Sequence, residues 1–197
     1  MSTSQYHRKR NLAKSGEPGL DGLSRDSGKS PIFVIQKHDA STLHYDFRLE
    51  VDGVLKSWAV PKGPSTDPSE KRLAIEVEDH PLDYAQFEGT IPEGEYGAGT
   101  VLIWDRGTYQ NLTDKDGGIR PMDKALAAGH VLVRLDGEKL RGGYALQRID
   151  DDKGQWLLVK MDDDAADARR NPVSTEPDSV ASDRSLDDIA ADESPDR

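Results

Sequence analysis

The sequence predicts a mainly β protein, built as an antiparallel sandwich or barrel. Eight or so short apolar or alternating runs are separated by Gly, Asp and Pro turns. Only one segment suits a helix, Met122–Ala128, with Gly129 as its stop signal. Many short strands with almost no helix are typical of an antiparallel sheet folded onto itself.

The clearest strand is Leu43–Val51, in which apolar and polar residues alternate strictly. Such alternation predicts a half-buried strand. Asp52 and Gly53 follow, a pair that favours a two-residue hairpin turn because both central positions take positive φ. Val54–Val60 is then the returning strand.

Further strands are predicted where short apolar runs recur along the chain. Glycines 94, 97 and 99 indicate a backbone that turns sharply or packs closely before the strands of the second half. These predicted strands cover residues 32–36, 72–78, 100–104, 108–112, 131–135, 144–149 and 156–161.

The 197 residues have room for one domain with tails. Residues 1–30 carry 6 basic and 3 acidic residues without periodic hydrophobicity, which predicts an arm that is mobile or ordered only by docking. Residues 31–161 form the predicted domain. Residues 162–197, with 12 acidic and 4 basic residues, are predicted to be a disordered acidic tail.

Composition excludes several classes of function. The chain has no cysteine, so disulfides, iron–sulfur clusters and thiolate zinc sites are excluded, and any metal must bind N and O ligands. No window approaches the ~20 apolar residues of a membrane helix, and a cytoplasmic protein is expected. The net charge of −11 disfavours a protein that coats duplex DNA, although local basic clusters can still bind a nucleic-acid end.

The polar face of the 43–51 strand predicts a metal site. His44, Asp46 and Arg48 alternate along the strand and therefore project from one face. His38 lies six residues before His44, close enough to converge with it if the chain turns at 40–42. Two imidazoles and a carboxylate leave open positions on an octahedral metal, which suits manganese or iron(II) better than structural zinc.

Other residues are candidates for binding an anion or moving a proton. A guanidinium can hold a phosphate with two hydrogen bonds, and Arg48 is the best placed for this. His80, before a proline, suits a general acid or a donor to developing charge, with a structural loop histidine as the equal alternative. The remaining cationic candidates are Lys62, Arg72 and Arg10, for which surface roles are equally compatible with the sequence.

Two long stretches of the chain resemble a known family. The segments IQKHDASTLHYDFRLEVDGVLKSWAVPKGPS and RLAIEVEDHPLDYAQFEGTIPEGEYGAGTVLIWDRGTY are similar to the 3′-phosphoesterase domain associated with bacterial DNA ligase D. The similarity extends from about residue 6 to residue 161. It implies a compact β-barrel with one or two short helices that heals DNA 3′ ends in end joining, using manganese to remove a terminal ribonucleoside and then the 3′-phosphate.

The resemblance also implies roles for individual residues. His38, His44 and Asp46 match the family's metal ligands, and Arg48 matches a phosphate-contacting arginine. Further matches are active-site groups (His80, Tyr84), supporting positions (Gln36, Lys62, Arg72, Glu78) and arm residues that aid ribonucleoside removal (Arg10, Glu17).

Two departures from the family are visible. Asn11 stands where the family can have Asp, which puts ribonucleoside removal in doubt. The chain also has no room for the polymerase and ligase modules of many relatives, so a stand-alone domain is expected whose ligase or polymerase partners are separate chains. Its expected substrates are DNA 3′ ends, including RNA-tipped primer-templates.

Two other functions compete with this hypothesis. His44-x-Asp46 with a later His130 and Arg141 imitates the ligand set of an iron(II)/2-oxoglutarate oxygenase. This leaves His38 without a role and places the H-x-D motif unusually early. The other alternative is a non-catalytic module that binds DNA ends and whose metal site is only structural.

Overall fold

The computed structural model describes residues 3–19 and 30–192, and within them strands predominate. The strands are β1 (Ile32–Asp39), β2 (Leu43–Val51), β3 (Val54–Val60), β4 (Lys71–Pro81), β5 (Gly89–Ile91), β6 (Gly99–Asn111), β7 (Asp114–Lys115), β8 (Gly118–Ile119), β9 (His130–Gly137), β10 (Arg141–Asp150) and β11 (Gln155–Lys160). The helices are α1 (Thr3–Arg8), α2 (Leu12–Ser15), α3 (Met122–Ala128), α4 (Pro172–Thr175), α5 (Leu186–Asp192) and a 3₁₀ helix, Leu82–Gln86. None of them is both long and apolar enough to cross a membrane.

Eight antiparallel strands close into a barrel. They follow the order β1-β2-β3-β4-β11-β10-β9-β6, and β6 pairs back with β1. The short strand β5 extends the sheet from β6 outside this ring. The predicted mainly β architecture is confirmed, and of the two arrangements compatible with the strand pattern the molecule adopts the barrel.

The alternation of each strand divides its side chains between two hydrophobic clusters. Inside the barrel, a large core contains all three tryptophans, Trp58, Trp104 and Trp156. Outside the wall, a smaller cluster includes Tyr6 and Tyr84, which pack with side chains of β1, β3 and β6. The outer cluster allows the arm and the 3₁₀ helix to pack on the barrel surface.

Several predicted elements are confirmed. Asp52 and Gly53 both have positive φ, 51° and 81°, as the hairpin turn requires. Helix α3 has the predicted bounds and ends at Gly129 in a left-handed conformation.

Strand β6 corrects the prediction of two strands at 100–104 and 108–112, because it runs unbroken through both. The intervening Asp-Arg-Gly resembles a turn in the sequence, but Gly107 lies against the backbone of β9. A Cβ atom at Gly107 would stand 1.9 Å from the carbonyl oxygen of Asp136. Glycine here permits a close strand approach and does not form a turn.

The described part of the arm is docked on the barrel, which is one of the two states expected for it. Tyr6 is fully buried, and its hydroxyl donates to the carbonyl of Pro18 at 2.7 Å. Helix α1 packs on β4. Residues 20–29 of the predicted arm lie outside the described residues.

The C-terminal segment, residues 162–192, corrects the prediction of a disordered tail. Ile189 is fully buried in the barrel core, and Val173 packs against that core. Buried donors also bind the backbone of this C-terminal segment: the carbonyl of Glu176 accepts from Trp104 Nε1 at 2.8 Å and from Lys139 Nζ at 2.7 Å. The acidic composition concealed this docking because the anchoring apolar residues are few and isolated. The rest of the predicted tail, residues 193–197, is outside the described residues.

Candidate active site

The candidate site lies on the outer face of the barrel, where β1 and β2 pair. In the antiparallel register Gln36 lies opposite Asp46, and His38 lies opposite His44. Arg48 follows two residues after Asp46 on the same face. The alternation that predicted a common face for the β2 residues therefore also brings the β1 residues beside them.

His38, His44, Asp46 and Arg48 line a cavity of about 290 Å³, and Gln36 lies behind it. Its remaining walls come from four other parts of the chain: β3, β4, the 3₁₀ helix and the loop after β5. The arm also contributes, since Arg10 and Glu17 line the same cavity. The site therefore combines rigid strand positions with a docked N-terminal segment.

Three side chains form a ligand set for a metal ion. The donor atoms of His38, His44 and Asp46 lie within 4.8 Å of one another. Asp46 Oδ1 is 3.3 Å from His44 Nε2, and Asp46 Oδ2 is 3.6 Å from His38 Nδ1. This is the set predicted from the sequence, and it forms the one such cluster found among residues 3–19 and 30–192.

Backbone carbonyls fix the orientation of both imidazoles. His38 Nε2 lies 2.7 Å from the Gly97 carbonyl, and His44 Nδ1 lies 3.1 Å from the Thr42 carbonyl. A carbonyl only accepts, so each of these ring nitrogens carries the proton. In the neutral imidazoles the lone pairs are left on His38 Nδ1 and His44 Nε2, the atoms that face Asp46; when a ring is protonated, the same atom donates a hydrogen bond to Asp46. This arrangement is typical of metal-binding histidines, so the residues present fit a divalent metal.

Asp46 is a buried carboxylate kept in its charged form. Burial raises its pKa, but the charge of Arg48 and the hydrogen bonds of His38 and His44 outweigh this and hold the pKa well below its usual range. Arg48 Nη2 is 3.3 Å from Asp46 Oδ2. The cluster thus provides a negative oxygen ligand next to a fixed cation.

Arg48 is the buried cation of the site, with only 2 % of its surface exposed. Its Nε donates to Gln36 Oε1 at 2.7 Å, and its guanidinium lies 4.9 Å from the ring centre of Tyr84. Its Nη1 is buried without a hydrogen-bond partner. A buried donor without a partner costs about 1–3 kcal/mol, which an anion bound in the cavity would offset.

The arm brings a second arginine into the site. Arg10 donates from Nε to Glu17 Oε2 at 3.0 Å and from Nη1 to Glu78 Oε1 at 2.9 Å. Tyr84 donates its hydroxyl to the same Glu17 oxygen at 2.8 Å, and burial with the charge of Glu17 raises the Tyr84 pKa well above its usual range. Glu17 Oε1 is buried without a partner. These contacts tie the arm to β4 and to the 3₁₀ helix.

His80 is a buried and neutral histidine. Burial lowers its pKa well below the usual range, and the charges of Arg48 and Arg10 lower it further. Its Nδ1 donates to the Glu78 carbonyl at 2.9 Å, so its Nε2 accepts from Arg10 Nη2 at 3.3 Å. A general-acid role stays a prediction, and the geometry adds a condition, since Nε2 must first gain a proton.

Three other residues named in the sequence hypothesis do not line the cavity. Lys62 is exposed just after β3. Arg72, near the start of β4, forms an ion pair with Glu70 at 2.6 Å. Asn11 is exposed at the start of α2, and its side chain makes no cap hydrogen bond.

The oxygenase alternative requires His130 and Arg141 beside His44 and Asp46. His130 is exposed at the first residue of β9 and does not belong to the ligand cluster. Arg141 lines a different cavity, together with Arg106 and Asp136. The fold keeps these residues away from the H-x-D motif, so the oxygenase hypothesis is wrong.

The structure adds two aromatic residues to the site that the sequence hypothesis omitted. Tyr96 lines the cavity from the loop after β5. Tyr6 of the arm packs edge-on against His80, with ring centres 5.0 Å apart. A single aromatic residue in an otherwise polar or glycine-rich segment was the available signal in both cases.

A closed barrel carries two histidines, one carboxylate and a buried arginine on its outer face, a set of side chains that fits a metal and an anionic group. The family model "DNA Ligase D 3'-phosphoesterase domain" matches residues 36–148, more than half of the chain. The chain belongs to this family.

Curated relatives agree with the family assignment. The chain is 50% identical over 186 residues to the multifunctional non-homologous end joining protein LigD of Pseudomonas aeruginosa, covering 92% of this chain and 21% of the relative. It is 47% identical over 157 residues to the multifunctional non-homologous end joining DNA repair protein LigD of Mycobacterium tuberculosis, covering 80% of this chain and 19% of the relative. The chain therefore spans about one fifth of the length of these relatives.

Proposed function

We propose that this protein is a divalent-metal-dependent phosphoesterase that removes the 3′-phosphate from DNA ends. The observation that carries the proposal is the position of Arg48, whose buried Nη1 has no partner and which contacts Asp46 of the ligand set. A phosphate is the anion expected beside a metal and a guanidinium. Family membership and the end-joining names of the relatives support a role at DNA ends.

His38, His44 and Asp46 would hold the metal, and Mn²⁺ is the ion we favour. The N and O donors of these three residues leave coordination positions open, which suits manganese, although other divalent ions accept the same donors. When bound, such an ion polarises a phosphoryl oxygen and lowers the pKa of water. The carbonyls of Gly97 and Thr42 keep both imidazole lone pairs directed at the ligand site.

The chain's own residues orient and neutralise the phosphate. Arg48 binds its oxygens through Nη1, while Gln36 and Asp46 prevent the guanidinium from turning away. A donor already in place costs little reorganisation when negative charge develops in the transition state. Tyr84 packs on the guanidinium and fixes its plane. Lys62, just after β3, and Arg72, in β4, do not line the cavity and are assigned no contact with the reacting phosphate.

The same site is proposed to remove a single 3′-terminal ribonucleoside. Arg10 and Glu17, the arm residues matched to that activity, both line the cavity. Glu17 Oε1 is a buried acceptor without a partner, which suits a ribose hydroxyl. Asn11 stands where the family can have Asp, so ribonucleoside removal is expected to be weakened. Because Asn11 lies outside the cavity, phosphate removal is expected to be unaffected.

The proposed substrates are DNA 3′ ends, including RNA-tipped primer-templates, and a DNA ligase or polymerase would act on the healed end. Binding at a strand end needs few cations, which reconciles the activity with the net charge of −11.

The competing hypothesis is a non-catalytic module that binds DNA ends. A labelled primer-template carrying a 3′-phosphate or one 3′-ribonucleotide is incubated with and without Mn²⁺. The unmodified protein is compared with His44→Ala and Arg48→Ala, and with His130→Ala and Arg134→Ala, which change exposed residues of the same types on β9. Trimming that requires Mn²⁺, His44 and Arg48 but neither control residue supports catalysis. End binding without turnover would support the binding module instead.

A further inference from the structure

Tyr96 is an exposed aromatic residue at the mouth of the candidate site. It lines the cavity, yet 46 % of its surface is accessible to solvent. The other large apolar side chains with comparable exposure in the described part of the chain are aliphatic. Burying an exposed tyrosine ring is energetically favourable, so a ring at this position indicates a ligand that covers it.

The loop that carries Tyr96 is fixed to β1 beside the metal ligands. The carbonyl of the next residue, Gly97, accepts the hydrogen bond from His38 Nε2. Gly99 has a φ of 136°, and a Cβ atom there would stand 2.1 Å from the carbonyl oxygen of Asp39, so only glycine permits this approach. The loop backbone also closes two turns, from Pro92 to Glu95 and from Glu95 to Ala98. Tyr96 is therefore held at a defined distance from the site.

Cations of the arm lie over the Tyr96 ring and restrict it. Lys9 Nζ lies 5.0 Å and the Arg10 guanidinium 4.9 Å from the ring centre, and Lys9 Nζ is 3.4 Å from the tyrosine hydroxyl. These consecutive arm residues restrict the ring, and nearly half of the tyrosine surface is still open. A restricted, partly exposed ring is suited to stacking, since little side-chain entropy is lost on binding.

We infer that Tyr96 stacks on the terminal nucleobase and so positions the 3′ end, an inference that rests on the proposed function. The cavity of about 290 Å³ is at the lower limit for ligand sites, so it holds the phosphate while the base lies at its mouth. The Tyr96 loop borders that mouth on the His38 side. Stacking on an aromatic ring accepts every base, which suits an enzyme that heals ends of any sequence.

The test compares two DNA substrates that differ only in the terminal base. Both carry a 3′-phosphate, one on an ordinary nucleotide and the other on an abasic tetrahydrofuran residue. The unmodified protein is expected to have a kcat/KM about 10-fold higher for the substrate with the base. Tyr96→Ala should remove this preference by lowering kcat/KM more for the substrate with the base than for the abasic one, whereas Tyr96→Phe keeps the preference because it keeps the ring. Ile119→Ala, a change at an exposed residue of β8, is the control for loss of surface apolar area.

Two results would overturn the inference. Equal loss of both rates in Tyr96→Ala would show that the ring only braces the arm through Lys9 and Arg10. An unchanged base preference in Tyr96→Ala would show that the base contacts another surface.

If neither substrate is hydrolysed, the proposed function fails, but stacking can still be measured with 2-aminopurine as the terminal base. Quenching of its fluorescence by the unmodified protein and Tyr96→Phe but not by Tyr96→Ala supports stacking, and equal quenching by all three refutes it.

Discussion

Arg48 Nε donates to Gln36 Oε1 across the β1–β2 pair at a distance of 2.7 Å. Gln36 in turn donates from Nε2 to the carbonyls of Tyr84, at 2.7 Å, and Phe87, at 3.1 Å. The fully buried amide thus joins the guanidinium to the 3₁₀ helix. Because Arg48 Nε bonds Gln36 and Arg48 Nη2 lies near Asp46, Arg48 Nη1 is the nitrogen available to a ligand.

Arg48→Lys should therefore inactivate the site although it conserves charge. An ammonium group cannot bond Gln36, Asp46 and a phosphate with the same planar geometry. Loss of one positioned donor typically lowers kcat about 100- to 1,000-fold, and we expect a decrease of this size for 3′-phosphate release. Arg134→Lys, an exposed change on β9, is the matched control. Near-normal kcat in Arg48→Lys would show that charge alone suffices.

Metal binding is predicted to stabilise the fold independently of turnover. A ligand at 100 times its Kd stabilises by about 2.7 kcal/mol, which raises Tm by about 5–10 °C for a protein of this size. Mn²⁺ should produce such a shift in the unmodified protein, and EDTA should reverse it. His44→Ala should lose the shift and His130→Ala should keep it. An equal shift in both variants would place the metal elsewhere.

The neutral state of His80 predicts a pH dependence of stability. Because its folded pKa lies below the ordinary value near 6.5, the unfolded chain binds this proton more readily, and stability falls as pH drops below about 6.5. His44 acts in the opposite direction: burial lowers its pKa, but hydrogen bonding to Asp46 prevails and raises it. A comparison with His80→Gln isolates the His80 contribution.

Urea unfolding in EDTA at pH 7 and pH 5.5 measures this difference. The unmodified protein should lose more stability than His80→Gln, by up to about 1.4 kcal/mol per pH unit below 6.5. Parallel losses would mean that His80 is protonated in the folded protein, which would favour the general-acid interpretation.

The candidate metal cluster could be predicted from sequence because its residues follow local rules. Alternation fixes the shared face of His44 and Asp46, and a short turn returns the chain from His38. The contacts that define their chemistry could not be predicted, since they cross long sequence distances. The His38 tautomer depends on Gly97, 59 residues away, and the lowered pKa of His80 depends on its burial and on the charges of Arg48 and of Arg10, which is 70 residues away.

The fold shows the same division between local and distant information. The hairpin at Asp52 and Gly53 and helix α3 follow from turn and stop signals in neighbouring residues. Docking of the arm and of residues 162–192 depends on single apolar residues, Tyr6 and Ile189, whose partners lie on distant strands. Composition averages over such residues, so it left the order of the arm undecided and predicted a disordered tail.

Ile189 gives a direct test of whether the C-terminal segment stabilises the barrel. Its side chain is fully buried in the core, and Ile→Ala at such a position typically costs about 2–5 kcal/mol in the free energy of unfolding. Ile149→Ala is the matched control, because that isoleucine is 54 % exposed and its loss should cost less than about 0.5 kcal/mol. Urea denaturation measures both variants. If the two variants differ little, packing of residues 162–192 on the barrel contributes no stability.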